Sequence, residues 1–391
     1  MKTSWFSYFT FFCLLTSALS AQDWQIGGRL EHTVWASGDV PAGFLEFDNN
    51  VLFEPSLTLD FAYQPSDKFY FNAVFNLDRG FDPGASPDGD FRLDNLILRY
   101  RPFGNNALNF QLGKFATTVG NWVPEYDDNP FLLAPLPYAS ITGANSQNID
   151  QLSAAQIENR TNRSTPTIHN TPQDWSAIIW GPAYAQGAAV FGSINKLDYG
   201  LEIKNAAIGS APDERRFGEG DFNDPIISGR FGYRQDASLA YGLSFSRGPF
   251  VDSDAILSSG VDRNDLIQTL IGVDVRWAHR NWILSGEAFF SHFQRPDEDF
   301  KVFSYYLQAR YKIAPGVWLA GRFGQTLSNE VPIPSGGQAP WSPDLLRGEL
   351  ALGWRVSPDF ILKTQYTYTD VTNNFSTPSP GLFGISATWD F

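Results

Sequence analysis

The sequence predicts an all-β protein: sixteen antiparallel strands closed into a transmembrane β-barrel, with short turns at one end and long loops at the other. Three observations predict it. Apolar and polar residues alternate with a period of two along most of the chain, as they do in a strand with one apolar and one polar face. Most alternating segments run about 10 to 13 residues, against ~5 to 6 in ordinary globular strands and ~9 to 11 for a tilted strand crossing a bilayer. The connections alternate short and long, the rhythm of a barrel whose turns and loops face different compartments.

Composition agrees. The 391 residues carry 28 basic and 42 acidic side chains, a formal charge of −14. This argues against a nucleic-acid partner, which needs a basic face. Aromatics make up 15% of the chain, with 34 Gly and 25 Pro. That mixture disfavours both disorder and a helical bundle. A single cysteine, Cys13, excludes a disulfide scaffold and a Cys-based metal cluster. Mean hydropathy is −0.23, which suits a tube whose inner face is wet.

The elements follow in order. Lys2 precedes an uncharged apolar stretch, 5–19, that ends on Ala18-Leu19-Ser20. This is the pattern of a secretory signal peptide cleaved before Ala21, so residues 1–20 are read as an address and 21–391 as the barrel. A single membrane anchor is the competing reading, but the stretch is short and its small-residue end fits cleavage. Beyond residue 21 no uninterrupted apolar run of about 18 residues occurs; 177–194 is broken by Gly181, Pro182, Gln186 and Gly187.

Strand-like segments then fall at 24–36, 51–63, 69–78, 91–101, 107–115, 183–194, 197–206, 226–235, 238–247, 265–279, 281–293, 300–312, 316–326, 344–356, 359–371 and 381–391. Phe69, Phe71, Ala73, Phe75 and Leu77 alternate with Tyr70, Asn72, Val74 and Asn76. Leu350, Leu352, Trp354 and Val356 alternate with Glu349, Ala351, Gly353 and Arg355. Short connections such as Asn195-Lys196, Ala314-Pro315 and Ser357-Pro358 carry tight-turn residues. Long ones are 37–50, 79–90, 116–182, 207–225, 248–264, 294–299, 327–343 and 372–380. Closure follows from physics, because every backbone polar group in hydrocarbon must be paired. A soluble β-sandwich or propeller also alternates; strand length and loop rhythm tell against it.

The last strand carries Ile385, Ala387, Trp389 and a terminal Phe391 on one face. It resembles the C-terminal strand of Gram-negative outer-membrane proteins. The whole of 21–391 resembles sixteen-stranded bacterial porins, of the general or phosphate-selective type, in size, strand number and loop rhythm. The resemblance implies a bacterial outer-membrane location with lipid around the barrel, periplasmic turns and extracellular loops. It also implies recognition of the last strand by the barrel-assembly machinery, and a homotrimer. The function it implies is a water-filled channel for passive diffusion of small hydrophilic solutes or ions, with no cofactor.

If apolar positions face lipid, the opposite ones line the lumen. Charge on the lipid face costs ~2 to 4 kcal/mol at the midplane for Arg or Lys, so strand cations should point inward or sit near the rims, and ten are assigned to the lumen. They are Arg29, Arg99, Arg230, Arg234, Arg276, Arg310, Arg322, Arg347, Arg355 and Lys363. Pairing with neighbouring acids, to stiffen the wall, is the plainer role for them. The third long loop, 116–182, exceeds what a surface connection needs. Its acids Glu125, Asp127 and Asp128 stand beside the apolar run 130–141, which must dock on something. In the porins the chain resembles, this loop folds inward and narrows the pore. The three acids are therefore candidates for a charged constriction; a loop over the mouth or against a neighbouring subunit is the alternative. Tyr63, Tyr100, Tyr311, Trp282, Trp318 and Trp354 near segment ends read as interfacial girdle residues.

Two other functions compete with a channel. A barrel enzyme needs a nucleophile with a base in reach. His32 and His292 lie on strands, His169 in the third loop and His279 at a turn, and there is no Gly-x-Ser-x-Gly, His-Glu-x-x-His or Gly-Lys-Ser/Thr motif. No catalytic, cofactor or metal site is expected. A structural or adhesin-type barrel would share the architecture without an open path.

Overall fold

A computed structural model describes residues 24–37, 51–78, 90–139, 177–210, 218, 222–251, 257, 260–342, 344–371 and 381–391. The expected signal peptide, His169 and most of the second half of the third loop lie outside these residues. Within them the alternating segments become strands: β1 (Trp24–Ser37), β2 (Val51–Ser66), β3 (Phe69–Asp78), β4 (Asp90–Tyr100), β5 (Asn109–Phe115), β6 (Ala185–Ile194), β7 (Leu197–Lys204), β8 (Ile226–Arg234) and β9 (Leu239–Pro249). They continue as β10 (Ile267–His279), β11 (Trp282–Phe293), β12 (Phe300–Ala314), β13 (Val317–Ser328), β14 (Glu330–Pro332), β15 (Gln338–Pro340), β16 (Leu345–Ser357), β17 (Phe360–Val371) and β18 (Gly381–Asp390).

Sixteen of them form one closed antiparallel barrel, each pairing with its neighbours in sequence, and β18 returns to β1. The seam is sealed beyond the strand ends: Gly28 and Phe391 exchange two backbone hydrogen bonds of 2.9 Å. Every edge is thereby removed, as hydrocarbon demands. The two remaining strands, β14 and β15, make a small hairpin in the connection after β13. Alternation did not announce them, because three-residue strands carry too little pattern. Trp341, just past β15, stacks on Phe300 at 4.5 Å and covers the adjacent barrel rim.

The short turns carry the chemistry tight hairpins need. Asn195 and Arg280 hold left-handed backbone (φ 55° and 54°), as does Gly316 (φ 77°). The outer face is apolar: Ile271, Val273, Leu307, Phe323, Leu350 and Ile385 all point out and are exposed. Toward the turn end this belt meets aromatics, with Trp24 stacked on Tyr63 at 4.4 Å and Trp282 against Tyr311 at 4.6 Å. Tyr100 and Trp354 are exposed among them. Trp318 departs from the girdle reading: it is buried and faces inward, under Arg310 at 4.5 Å. Its partner across the β12–β13 pair is Lys312, an inward position. Nearness to a segment end placed it at the right height, and strand phase placed it on the other face.

Candidate functional site: the lumen and its inner loop

The inner face is built from the opposite phase of the same strands. Its charges are mostly matched. Arg29 meets Asp390 at 2.7 Å across the seam, and Arg234 meets Asp198 at 2.9 Å. Arg230 on β8 reaches over β9 to Asp274 on β10 at 2.6 Å. Gly242 lies between them, and a Cβ there would stand 2.5 Å from the Asp274 carboxylate and 2.6 Å from the guanidinium. A small residue on the middle strand is what lets the pair form. Arg99 donates to Gln111 at 2.9 Å and lies over the Phe191 ring at 4.9 Å. On β2 to β4, Asn72 donates to Asp60 at 2.6 Å, and Arg92 binds both Asp78 and Asp94.

The chain leaving β5 turns into the barrel rather than away from it. Thr117 Oγ1 donates to Glu202 at 2.7 Å, and the Thr118 N–H donates to the same carboxylate at 3.0 Å. The Gly120 N–H donates to Ser244 Oγ at 3.0 Å, and that of Asn121 to Glu287 at 2.6 Å. The backbone at Gly120 is left-handed (φ 77°), and a Cβ would fall 1.9 Å from Tyr138 Oη, so only glycine fits. A 3-10 turn follows (Val123–Asp128), opened by Pro124. Then comes a single α-helical turn, α1 (Leu136–Ala139), all four of whose residues are buried.

Tyr138 closes the circuit by donating to Glu287. Burial and the adjacent carboxylate push its hydroxyl well above its usual range, which keeps it a donor. Val119, Trp122 and Tyr138 join Phe289 and Tyr306 of the wall in one hydrophobic cluster. Beyond the 3-10 turn the far wall takes over. Lys363 Nζ donates to the Asn129 carbonyl at 2.9 Å and Arg322 Nη2 to that of Leu133 at 2.7 Å. The Leu132 N–H donates to Gln365 at 2.6 Å. Arg322 also pairs with Glu349 at 2.5 Å and lies 4.3 Å above the Phe131 ring. A loop has backbone groups with no ladder to satisfy them; here the inward polar row supplies the partners.

Of the thirteen candidate residues, the ten cations all occupy inward positions, but not all border open space. Arg322 and Arg347 are 4% and 3% exposed, sealed beneath the loop, with Arg347 donating to Thr369 at 3.2 Å. They hold the loop and do not line a channel, because the loop's apolar run lies over them. Arg355 sits at the turn end, exposed, donating to the Pro358 carbonyl at 2.8 Å. Glu125 meets Arg276 at 2.6 Å, with 35% and 36% of the two side chains exposed. Burial pushes the Glu125 carboxyl above its ordinary value, against the pull of Arg276. Asp128 is exposed, and the side chain of Asp127 lies outside the described residues. Glu125, Asp128, Arg276, Arg310, Gln308 and Trp122 share a polar cavity of about 300 Å³. Sequence reasoning did not single out Glu202, Ser244, Glu287 or Gln365 as loop anchors. Their inward phase was readable; that a loop would reach them was not.

No family model matches the chain, and none of the curated proteins does. Solved structures do. A loop-deletion mutant of OmpT, an outer-membrane protein of Vibrio cholerae, superposes with a TM-score of 0.58 at 12% identity, over 94% of this chain and 99% of that one. An anion-selective porin from Comamonas acidovorans gives 0.57 at 11% identity, over 94% and 99%. OprB of Pseudomonas putida gives 0.57 at 10% identity, over 97% of each chain. At these identities the likeness establishes the fold: the chain has the sixteen-stranded barrel of bacterial outer-membrane porins.

Proposed function

We propose that the protein is a porin: a passive, water-filled channel through the bacterial outer membrane for small hydrophilic solutes or ions, and not a catalyst. One observation carries the reading. The first part of the third loop is fastened inside the barrel by at least six wall residues, from Glu202 on β7 to Gln365 on β17. A barrel serving as a scaffold or adhesin gains nothing from such an inner strap, whereas a pore gains a defined constriction.

Asp60 on β2, an inward and exposed carboxylate, supports the same reading. So does the partial exposure of Glu125, Arg276 and Asp128. Among the described histidines, His292 is hydrogen-bonded to Asp299 at 2.8 Å, and His32 stacks on Phe53 on the outer face at 5.6 Å. Neither faces the lumen. The outer membrane as location, export through residues 1–20, insertion by the barrel-assembly machinery through the last strand and a homotrimeric assembly belong to this proposal.

Planar-bilayer recording tests it. The purified chain is expected to give discrete ohmic steps. Neutralising Glu125, Asp127 and Asp128 together is expected to move the reversal potential in a salt gradient toward anion preference. Inserted protein that passes no current would leave the structural-barrel reading in its place.

A further inference from the structure

Among the described residues, Arg247 and Lys301 are the exposed cations that barrel strands turn outward. They stand in one register row near the loop end: Arg247 on β9 pairs with Thr269 on β10, Thr269 with His292 on β11, and His292 with Lys301 on β12. Neighbouring strands lie ~4.8 Å apart, so the two charges are about 14 Å apart along the row. Arg247 is oriented by donating to Thr269 Oγ1 at 2.6 Å. The next outward row toward the turn end is Phe245, Ile271, Phe290 and Phe303, and the last three are 53%, 45% and 39% exposed. A cationic row thus borders an apolar belt on one sector of the barrel, where headgroups meet hydrocarbon.

The same sector holds a concavity of about 850 Å³. It opens outward, not into the lumen. Its floor is Ala309, Gly321 and Gly348, and Leu307, Phe323 and Leu350 border it. Six residues of β12 separate Lys301 from Leu307, about 20 Å of strand, or about 15 Å of depth at a ~40° tilt. That is half of a ~30 Å hydrocarbon core, the depth an acyl chain reaches from its own headgroup.

We propose that this sector is a docking site for a phosphorylated membrane lipid, with phosphates on Arg247 and Lys301 and an acyl chain descending over Phe290 and Phe303 into the concavity. The proposal rests on the reading of the outer face as embedded in lipid. Charge complementarity selects the headgroup, and continuity of the row with the belt selects a lipid over a soluble anion. Asp299 carries its charge close to Lys301 and opposes an anion there. It accepts from His292 at 2.8 Å and from the Arg295 N–H at 3.2 Å. Asp297 and Glu298, exposed on the same connection, oppose an anion there and set the sign of a further test.

The experiment uses the full chain in phosphatidylcholine nanodiscs, with native mass spectrometry of retained lipid. The probe is a bis-phosphorylated glycolipid, compared with its dephosphorylated form. Wild type is expected to retain the phosphorylated form about tenfold better, and R247A/K301A to lose that preference. D297N/E298Q is expected to retain more. Gly348→Leu, whose Cβ meets nothing within 4 Å, is expected to weaken retention while keeping the phosphate preference. Equal retention by R247A/K301A, or of the dephosphorylated form by wild type, overturns the site. So does displacement by millimolar inorganic phosphate, which would make it a free-anion site. Single-channel currents from the same preparations separate the two readings. Conducting protein without phosphate preference overturns the lipid site alone, and protein that never conducts overturns the channel.

Discussion

The two halves of the lumen wall are made of the same residue types and do different work. From β7 round to β17 the inner charges beneath the loop are covered. Glu202, Glu287 and Arg322 are 3%, 4% and 4% exposed, and each holds loop backbone or a loop side chain. On β1 and β18 and at the turn end the charges stay in reach of solvent. Arg29 and Asp390 keep 29% and 34% of their side chains exposed, and Arg234 keeps 51%. The strands do not create this difference, since every one of them alternates alike. The loop creates it by choosing which part of a uniformly polar wall to cover. A charge beneath the loop acts as a fastening in low dielectric. In the proposed channel, a charge beside the loop would act through its field on a passing solute.

Truncating a fastening is therefore the sharpest way to break the comparison. Arg322→Ala removes a guanidinium held by Glu349 at 2.5 Å and by the Leu133 carbonyl at 2.7 Å. Glu349 is left buried with a negative charge whose main partner has gone. Breaking a buried pair from one side costs roughly 3 to 5 kcal/mol. We expect a large fall in the unfolding midpoint in detergent, read by the heat-dependent shift in gel mobility, and noisier, larger single-channel currents as the strap loosens. Arg322→Met combined with Glu349→Gln should recover much of the lost stability. If the double variant is as damaged as the single one, the cost lies in packing against Phe131 and not in the orphaned charge.

A backbone lesion in the same half comes next. Gly120→Ala puts a Cβ into a left-handed residue and against Tyr138 Oη, and such strain is of order 1 to 3 kcal/mol. The barrel itself is untouched, because the strand hydrogen bonds do not pass through this residue. We expect mature, heat-modifiable barrels whose conductance has risen, with the midpoint falling less than in Arg322→Ala. Unchanged conductance would mean that the loop can shift at Gly120 without altering the aperture.

Much of this was legible in the chain. All sixteen barrel strands fall within a few residues of the segments that alternation marks. A two-residue period over ten positions is a strong signal, and lipid enforces it without compromise. Facing was legible for the same reason: all ten cations chosen by phase are inward. Covering was not legible. Arg322 and Arg276 have the same phase and composition around them, yet one is sealed and the other borders a cavity. The deciding contacts join residues far apart in the chain, Leu133 to Arg322 and Leu132 to Gln365. Trp318 failed as a girdle residue because height along the barrel and side of the wall are separate coordinates, and only the first was read. Arg247 and Lys301 face outward near the loop end, where the cost of charge on the lipid face falls.

The smallest expected change in stability, and the most informative change in function, belongs to the contact where the two halves meet. Glu125 and Arg276 are each about one-third exposed and 2.6 Å apart, and such half-solvated pairs contribute roughly 0 to 1 kcal/mol. Burial holds the Glu125 carboxyl above its ordinary value, so the folded chain disfavours its ionised form. Whatever stability its protonated form gives is fully present at acid pH and lost as pH rises through the raised value. Glu125→Gln should therefore leave the midpoint at neutral pH unchanged or slightly higher, with the difference vanishing in acid. Its effect on permeation should be plain, because Arg276 then faces the cavity without a carboxylate. The reversal potential moves toward anions at neutral pH. The wild-type channel makes the same move on acidification, beginning above the pH at which an ordinary carboxylate titrates, and the variant lacks that step. A wild-type channel whose selectivity is flat from neutral pH down to that of a free carboxylate would place Glu125 among the fastenings, and the boundary between the two halves would lie one residue further into the lumen.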